Sequence, residues 1–313
     1  MRDGASAVSR SKGTAGDQPN HWTAGSKPAP GLYLVATPIG NLDDISLRAL
    51  KVLKGADLIA CEDTRVTGKL LSLLGIGGVP LSPYHEHNAE KARPALLARL
   101  REGAVVALVS DAGTPLVSDP GYRLVRDCHA GGLPVTSLPG ASAVLTALQL
   151  SGLPSDRFLF AGFLPVKDGA RRRALAELAA VPASLVFYES PRRLPESLAV
   201  MAAVLGPRDA AVARELTKLH EEVRRGDLAE LARHYAEAGA PRGEVVIVIG
   251  PPAPEEAPAG DALDGALRQA LAHLSLRDAA ATVAAATGLP RRQVYRRAME
   301  LAGDDSGGAP DGS

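Results

Sequence analysis

Residues 105–125 read VVALVSDAGTPLVSDPGYRLV, and this stretch decides the fold. Val105, Val106, Ala107, Leu108 and Val109 form a continuous apolar run closed by turn residues, the pattern of a buried parallel strand. In the loop Ser110-Asp111-Ala112-Gly113-Thr114-Pro115, Gly113 allows close approach of a ligand to the backbone because it has no Cβ. Asp111 sets a carboxylate at the carboxyl end of the strand, where open α/β sheets bind ligands. Asp119-Pro120 then predicts an N-cap and a first-turn proline opening a helix through Val125. Residues 32–41 (LYLVATPIGN) and 135–142 (VTSLPGAS) repeat the style, an apolar run broken by a Pro/Gly loop. Each alone could be an ordinary strand–turn–helix connection; three together predict one shared crevice.

Working outward, the chain's 313 residues call for two or three domains, and 46% apolar content supplies their cores. A formal net charge of zero excludes a global basic field, so any contact with RNA must come from a local patch. Two cysteines, Cys61 and Cys128, make neither a disulfide framework nor a metal site, which fits a reducing cytoplasm. No apolar run approaches the roughly 20 residues needed to span a bilayer. The first 22 residues lack the apolar core of a secretory signal. Residues 1–30 and 303–313 are rich in Gly, Ser and polar residues and are expected to be disordered. Residues 251–260 (PPAPEEAPAG) read as a Pro/Ala linker.

The expected architecture is two α/β domains, residues 31–138 and 139–250, hinged at Pro139-Gly140 and followed by a small helical unit at 261–302. In that unit a helix at 276–284, a Gly turn at 287–290 and a helix at 291–298 have the layout of a helix-turn-helix. Arg291, Arg292, Arg296 and Arg297 give it a basic face suited to RNA, although a plain helical hairpin would look the same. In the body, Cys61-Glu62-Asp63-Thr64-Arg65 gathers two carboxylates and an arginine at a strand end. Arg65 and Lys69 read as phosphate ligands or as part of a capped helix start with a surface ion pair. Residues 85–88, His-Glu-His-Asn, have the wrong spacing for a helical zinc motif and lack a third ligand. They predict a substrate-contacting loop or a helix cap, and no metal. Lys167, Arg171, Arg172 and Arg173 form the densest basic cluster of the body, either a solvated helix face or a phosphate contact. Glu189, Arg192 and Arg193 follow a strand at 184–188, and Glu215 and Lys218 follow one at 210–213. The dinucleotide-binding glycine motif, the Walker A motif, the nucleophile elbow and the CxxC pair are all missing. The residues alone therefore leave a small-molecule transferase and a nucleic-acid-modifying enzyme both open.

Nine motifs narrow the choice. LVATPIGNLDD, CEDTR, HEHN, VSDAGTPLVSDPG, LPGASAVLTALQLSG, FLP, FYESPRR, RELTKLHEE and GEVVIVI occur in this order between Gly31 and Gly250. Together they resemble the ribosomal RNA small subunit methyltransferase I family, within the tetrapyrrole (corrin/porphyrin) methylase superfamily. The resemblance implies two α/β domains with S-adenosylmethionine in the cleft between them. It further implies a cytoplasmic homodimer that methylates the ribose 2′-hydroxyl of a decoding-centre cytidine of 16S rRNA within the small ribosomal subunit. The first loop, Thr37-Pro38-Ile39-Gly40-Asn41, is poorer in glycine than is usual in the superfamily, which argues against a tetrapyrrole substrate. A tetrapyrrole C-methylase and a helix-turn-helix nucleic-acid-binding regulator without turnover are the competing readings.

Carried onto this sequence, the resemblance makes Pro38 and Gly40 line the cofactor cleft. Asp111, Ala112, Gly113, Thr114 and Pro115 would hold the amino-acid end or sugar of the cofactor, with Val117 and Ser118 completing that wall. Pro139, Gly140, Ala141 and Ser142 would approach from the hinge, and Phe163 and Leu164 would lie near the adenine. Leu216 and Gly243 would contribute from the second domain. Methyl transfer depends on alignment of the reacting atoms and on acceptance of the hydroxyl proton. Glu62, Asp63, Glu189, Glu215 and Lys218 are the candidate bases or orienters. Arg65, Arg192 and Arg193 are candidates for RNA phosphates, which a bidentate guanidinium suits.

Overall fold

The computed structural model describes residues 27–118, 121–253 and 260–304. The chain divides after Pro251 into two compact units. In the first half of the larger unit, β1 (Gly31–Val35), α1 (Leu47–Gly55), β2 (Leu58–Cys61), α2 (Thr64–Leu73), β3 (Leu81–Pro83), α3 (Ala89–Arg101), β4 (Val105–Val109), α4 (Tyr122–Ala130) and β5 (Val135–Leu138) follow one another. Their strands form a parallel sheet of order β3-β2-β4-β1-β5. The apolar run at 105–109 is β4, buried at every position. It is apolar throughout because both faces are covered. Val105, Ala107 and Val109 pack with Val52, Leu53 and Leu71 on one side. Val106 and Leu108 pack with Leu96, Leu100 and Leu124 on the other. The two-residue period of a strand deals its side chains to two cores.

The helix expected to open at Asp119-Pro120 begins at Tyr122, with Gly121 as its N-cap at φ 146°; Asp119 and Pro120 lie outside the described residues. The segment just ahead of β1 is ordered by contacts. Pro28 is buried, Lys27 pairs with Asp57 at 2.6 Å and Tyr33 Oη donates to the Ala29 carbonyl at 2.8 Å. Residues 1–26, 254–259 and 305–313, which hold most of the expected tails and linker, lie outside the described residues.

The second half contains α5 (Ala143–Ser151), β6 (Phe158–Phe163), α6 (Asp168–Leu178), β7 (Ser184–Glu189), α7 (Leu194–Leu205), β8 (Asp209–Arg214), β9 (Glu222–Asp227), α8 (Leu228–Ala238) and β10 (Val245–Ile249). The sheet order is β6-β7-β10-β8-β9. Only β6 and β7 run parallel; β10 is antiparallel to both β7 and β8, and β8 to β9. One face, with Phe187, Val212 and Ile247, packs on α6, α7 and α8. The other, with Val186, Ala213, Val246 and Val248, packs on α5 and on Ile39 from the loop after β1. The loops at the carboxyl edge of the first sheet thus sit on a face of the second.

The basic cluster at 167–173 separates into two kinds of residue. Lys167, Arg172 and Arg173 are exposed. Arg171 is 1% exposed, donates to the carbonyls of Pro165 and Val166, and pairs with Glu196 at 3.2 Å. It closes a loop from inside and presents no cation to a partner.

In the smaller unit, α9 (Gly260–Leu271), α10 (Leu276–Thr287) and α11 (Arg291–Asp304) enclose a core of Leu267, Ala280, Val283, Val294 and Ala298. Ser275 caps α10, and Gly288 ends it in the left-handed region at φ 68°. Arg297 makes a bidentate pair with Asp264, at 2.7 and 2.6 Å, and reaches Glu300 at 2.7 Å. It ties α11 to α9, so the outward basic face consists of Arg291, Arg292 and Arg296, all exposed.

Candidate active site

Because the first sheet is parallel, the loops after β1, β2, β4 and β5 leave on one edge. Three backbone-directed contacts lace them together. Thr37 and Gly113 exchange N–H···O bonds of 2.9 and 3.0 Å, joining the loops after β1 and β4. Thr37 is buried, and its hydroxyl donates to Ser110 O at 3.3 Å. Thr114 Oγ1 donates to Ala141 O at 3.0 Å, joining the loops after β4 and β5. Within the β4 loop Gly113, Leu116 and Ser118 all have left-handed φ, of 77°, 72° and 64°. For Leu116 and Ser118 this conformation costs roughly 1–3 kcal/mol each, a strain that active sites often carry.

The laced loops and the second sheet enclose a cavity of about 440 Å³. Its lining from the first half is Ile39, Glu62, Asp111, Ala112, Gly113, Thr114, Val117, Ser118, Ser142 and Ala143. From the second half come Phe163, Tyr188, Glu189, Ser190, Pro191, Glu244, Val245 and Val246. The cavity therefore unites Glu62, Glu189, Asp111, Ala112, Gly113, Thr114, Val117, Ser118, Ser142 and Phe163 from the residues singled out in the sequence. It adds Tyr188, whose ring meets Phe160 edge-on at 4.8 Å and Phe163 at 5.5 Å, and Glu244. β10 is antiparallel to β7, which places Val245 beside Glu189 and Val246 beside Tyr188. The end of one strand and the start of the other thus share one wall.

The remaining expected residues stand outside the described lining. Gly140 packs on the end of β1, where an added Cβ would come within 2.8 Å of the Ala36 Cβ. Gly40 meets the loop after β8: a Cβ there would come within 2.9 Å of the Leu216 carbonyl and 2.7 Å of Thr217 Oγ1. That loop is tied to the β1 loop by Asn41 N donating to Thr217 Oγ1 at 3.0 Å. Pro38, Pro115, Pro139, Ala141, Leu164, Leu216 and Gly243 are not among the lining residues.

The carboxylates differ in what they already do. Asp63 caps α2 through Arg65 N and is gripped by the Arg65 guanidinium, which holds its pKa down at about 2. Glu189 is 3% exposed; it accepts from Ser190 N at 2.7 Å and Ser197 Oγ at 2.5 Å, and lies 3.5 Å from Arg193 Nε. Glu215 is bound by Lys218 at 2.8 Å and by Glu244 N at 3.0 Å, and its pKa is lowered by the Lys218 contact first. Lys218 is also shared with Glu244 at 2.9 Å. Asp111 Oδ1 accepts from Asp63 N at 3.0 Å and braces the β2 loop against the β4 loop. Among the described residues Glu62 accepts no hydrogen bond. Burial, and then the Asp111 carboxylate, push its pKa up.

The arginines sort in the same way. Arg193 donates to Leu164 O at 2.8 Å and Pro165 O at 3.2 Å and holds the loop after β6. Arg65 is exposed but bound to Asp63, while Arg192 and Lys69 are exposed. His85 and His87 stand edge to face at 6.1 Å, and the described residues contain no cluster of three or more His, Cys, Asp or Glu able to hold a metal ion. No described helix is long and apolar enough to cross a membrane.

Residues 31–232 match the tetrapyrrole (corrin/porphyrin) methylases, and residues 256–302 match the RsmI C-terminal HTH domain. The fold is shared with cobalt precorrin-4 methyltransferase (20% identity, TM-score 0.52, 70% of this chain and 94% of that one). It is also shared with diphthine synthase (17% identity, TM-score 0.55, 70% and 89%). Much nearer in sequence are proteins named ribosomal RNA small subunit methyltransferase I. The one from Mesorhizobium japonicum is 54% identical over 90% of this chain and 95% of its own length. Those from Erythrobacter litoralis and Escherichia coli O157:H7 are 58% and 48% identical, each over 87% of this chain and 96% of their own length. Between the fold neighbours and these relatives the identity decides: the chain belongs to the ribosomal RNA small subunit methyltransferase I family.

Proposed function

We propose that this enzyme transfers the methyl group of S-adenosylmethionine to the ribose 2′-hydroxyl of a decoding-centre cytidine of 16S rRNA in the small ribosomal subunit. The observation that carries the reading is the cavity itself, apolar along Ile39, Val117, Phe163 and Val246, with the Glu62 carboxylate, which accepts no hydrogen bond among the described residues, in its wall. Its volume is that of a pocket for one small-molecule ligand. Gly113 turns at φ 77° and packs against Ile39, where an added Cβ would come within 3.2 Å of the side chain, so the loop keeps this close fit at the cavity wall only with glycine. These features suit a cofactor that is largely apolar, carries one amino-acid end and is gripped by main-chain groups. When bound, that cofactor supplies an electrophilic methyl on a sulfonium sulfur. Asp111, Ala112, Gly113, Thr114, Val117 and Ser118 would hold it, with Phe163 and Tyr188 as the aromatic wall.

The chain's own part in the chemistry is alignment and proton removal. Glu62 accepts the proton of the ribose hydroxyl as the oxygen becomes a nucleophile. Asp63, Glu189, Glu215 and Lys218, each already engaged, orient the surrounding loops. Asp111 holds the β2 loop in place and offers its second oxygen to a cationic group. Asp111→Asn keeps the acceptor for Asp63 N and removes the charge. It is expected to weaken S-adenosylmethionine binding about tenfold in calorimetry, the scale of one charged hydrogen bond. Unchanged affinity would remove Asp111 from the cofactor site.

RNA docking is assigned to the helical unit through Arg291, Arg292 and Arg296. Replacing all three with Ala should weaken binding to small subunits and reduce the slope of log affinity against log salt by about two. A slope equal to wild type would leave the unit without an electrostatic RNA contact.

A further inference from the structure

A second cavity, of about 590 Å³, adjoins the first. Its wall includes Glu86, His87, Glu90, Lys91 and Arg93 on one side and Tyr122 and Arg123 on the other. Ser118, at left-handed φ, lines both cavities and stands between them. Nothing in the proposed chemistry uses this space, and the His-Glu-His-Asn motif sits at its edge.

Two helices start at this wall, and neither has a side-chain cap. Ahead of α3, the Asn88 carboxamide is turned away, accepting from His85 N at 2.8 Å and donating to Pro83 O at 2.9 Å. Ahead of α4 stands Gly121, which has no side chain to offer. The positive ends of both helix dipoles therefore face the same space, with the Ala89 and Lys91 N–H groups of α3 already bonded to the His85 and Asn88 carbonyls. Around them stand Lys91, exposed; Arg123, 2.9 Å from Glu90; and Arg93, 2.8 Å from Asp127. One terminal nitrogen of Arg93 is buried and has no hydrogen-bond partner among the described residues. At the rim the Tyr122 ring is 61% exposed. The Arg123 guanidinium lies 5.8 Å from its centroid and donates to its hydroxyl at 3.1 Å.

An exposed aromatic backed by a cation, beside a space that attracts anions, is the pair of features single-stranded RNA uses: a stacking face and a phosphate seat. Glu90 is matched by Arg123 and Asp127 by Arg93, which leaves Lys91 and the two helix starts for a phosphate, and Glu86 is an acceptor of the kind a base amino group needs. We infer that this cavity holds a ribonucleotide flanking the methylated one. Its base stacks on Tyr122, which Arg123 backs, and its phosphate meets Lys91 and the two helix starts. The inference rests on the RNA substrate proposed above and adds to it where the neighbouring nucleotide goes.

The test is steady-state methylation of small subunits by the full chain, with S-adenosylmethionine affinity measured separately by calorimetry. Tyr122→Ala and Lys91→Ala are each expected to raise KM for the subunit about tenfold, the scale of one lost base stack or phosphate contact. Cofactor affinity should stay at the wild-type value, and Tyr122→Phe should restore KM. KM within about twofold of wild type for both variants overturns the inference, since a stack is worth more than that. A wild-type enzyme that leaves rRNA unlabelled sinks the substrate proposal itself, and this inference with it.

Discussion

Glu62→Gln is expected to slow methyl transfer by about a hundredfold or more, the lower end of what a positioned general base contributes. S-adenosylmethionine affinity should be retained, because the substitution keeps the shape and removes only the ability to take a proton. The expectation follows from elimination by geometry. Glu189 is filled by Ser190, Ser197 and Arg193; Asp63 by Arg65 and its own helix; Glu215 by Lys218 and Glu244. Glu62 alone of the five candidates lines the cavity without a hydrogen bond among the described residues. Its pKa is raised by burial first and by Asp111 second, with His85 opposing. The active form is the carboxylate, so the rate should fall as pH drops through a pKa above the ordinary glutamate range, and Glu62→Gln should erase that limb. The stability sign is the reverse. A raised pKa means the folded state binds the proton more tightly than the unfolded chain, so ionised Glu62 costs stability as pH rises through the window between the two values. Glu62→Gln removes that cost and should leave the unfolding midpoint at neutral pH equal to wild type or slightly higher. A variant with wild-type rate would assign the proton to another group.

Glu189→Ala should behave in the opposite way and cost about 3–5 kcal/mol of stability, the scale of breaking a buried ion pair from one side. The carboxylate is buried at the end of β7, and its removal strands the Ser190 N–H and the Ser197 hydroxyl and takes the countercharge from beside Arg193 Nε. Arg193 in turn holds Leu164 and Pro165, so the loop after β6 loosens with it. The check is the denaturant midpoint of the full chain by near-ultraviolet circular dichroism, with Glu189→Gln as the milder partner because it keeps an acceptor. An unchanged midpoint for Glu189→Ala would show that these contacts are not what stabilises the wall.

The first sheet was legible because its strands are buried on both faces. Their runs, such as 105–109, stay apolar throughout and stop at Pro/Gly loops, so strand ends and candidate ligand groups could be read together. β9 was not legible. Glu222, Val223, Arg224, Arg225, Gly226 and Asp227 carry no apolar alternation because this is an edge strand with no fully buried position, where charge protects against further pairing. Tyr188, Val245 and Val246 were missed for a related reason. They reach the cavity through the antiparallel register of β7 and β10, a pairing that strand-end reasoning does not reveal. The roles of Arg171, Arg193 and Arg297 also needed the fold. Sequence shows a guanidinium but not the carbonyl or carboxylate it faces, and all three are held by intramolecular partners. The Glu62 assignment could not be made before the partners of the other four candidates were visible.

The central claim is tested most directly by incubating the enzyme with methyl-labelled S-adenosylmethionine and small subunits from a strain lacking its own enzyme of this kind, then mapping the labelled nucleotide. The account predicts label on the ribose of one decoding-centre cytidine, lost with Glu62→Gln. Cofactor binding without label in the rRNA, or label on a base, would contradict it.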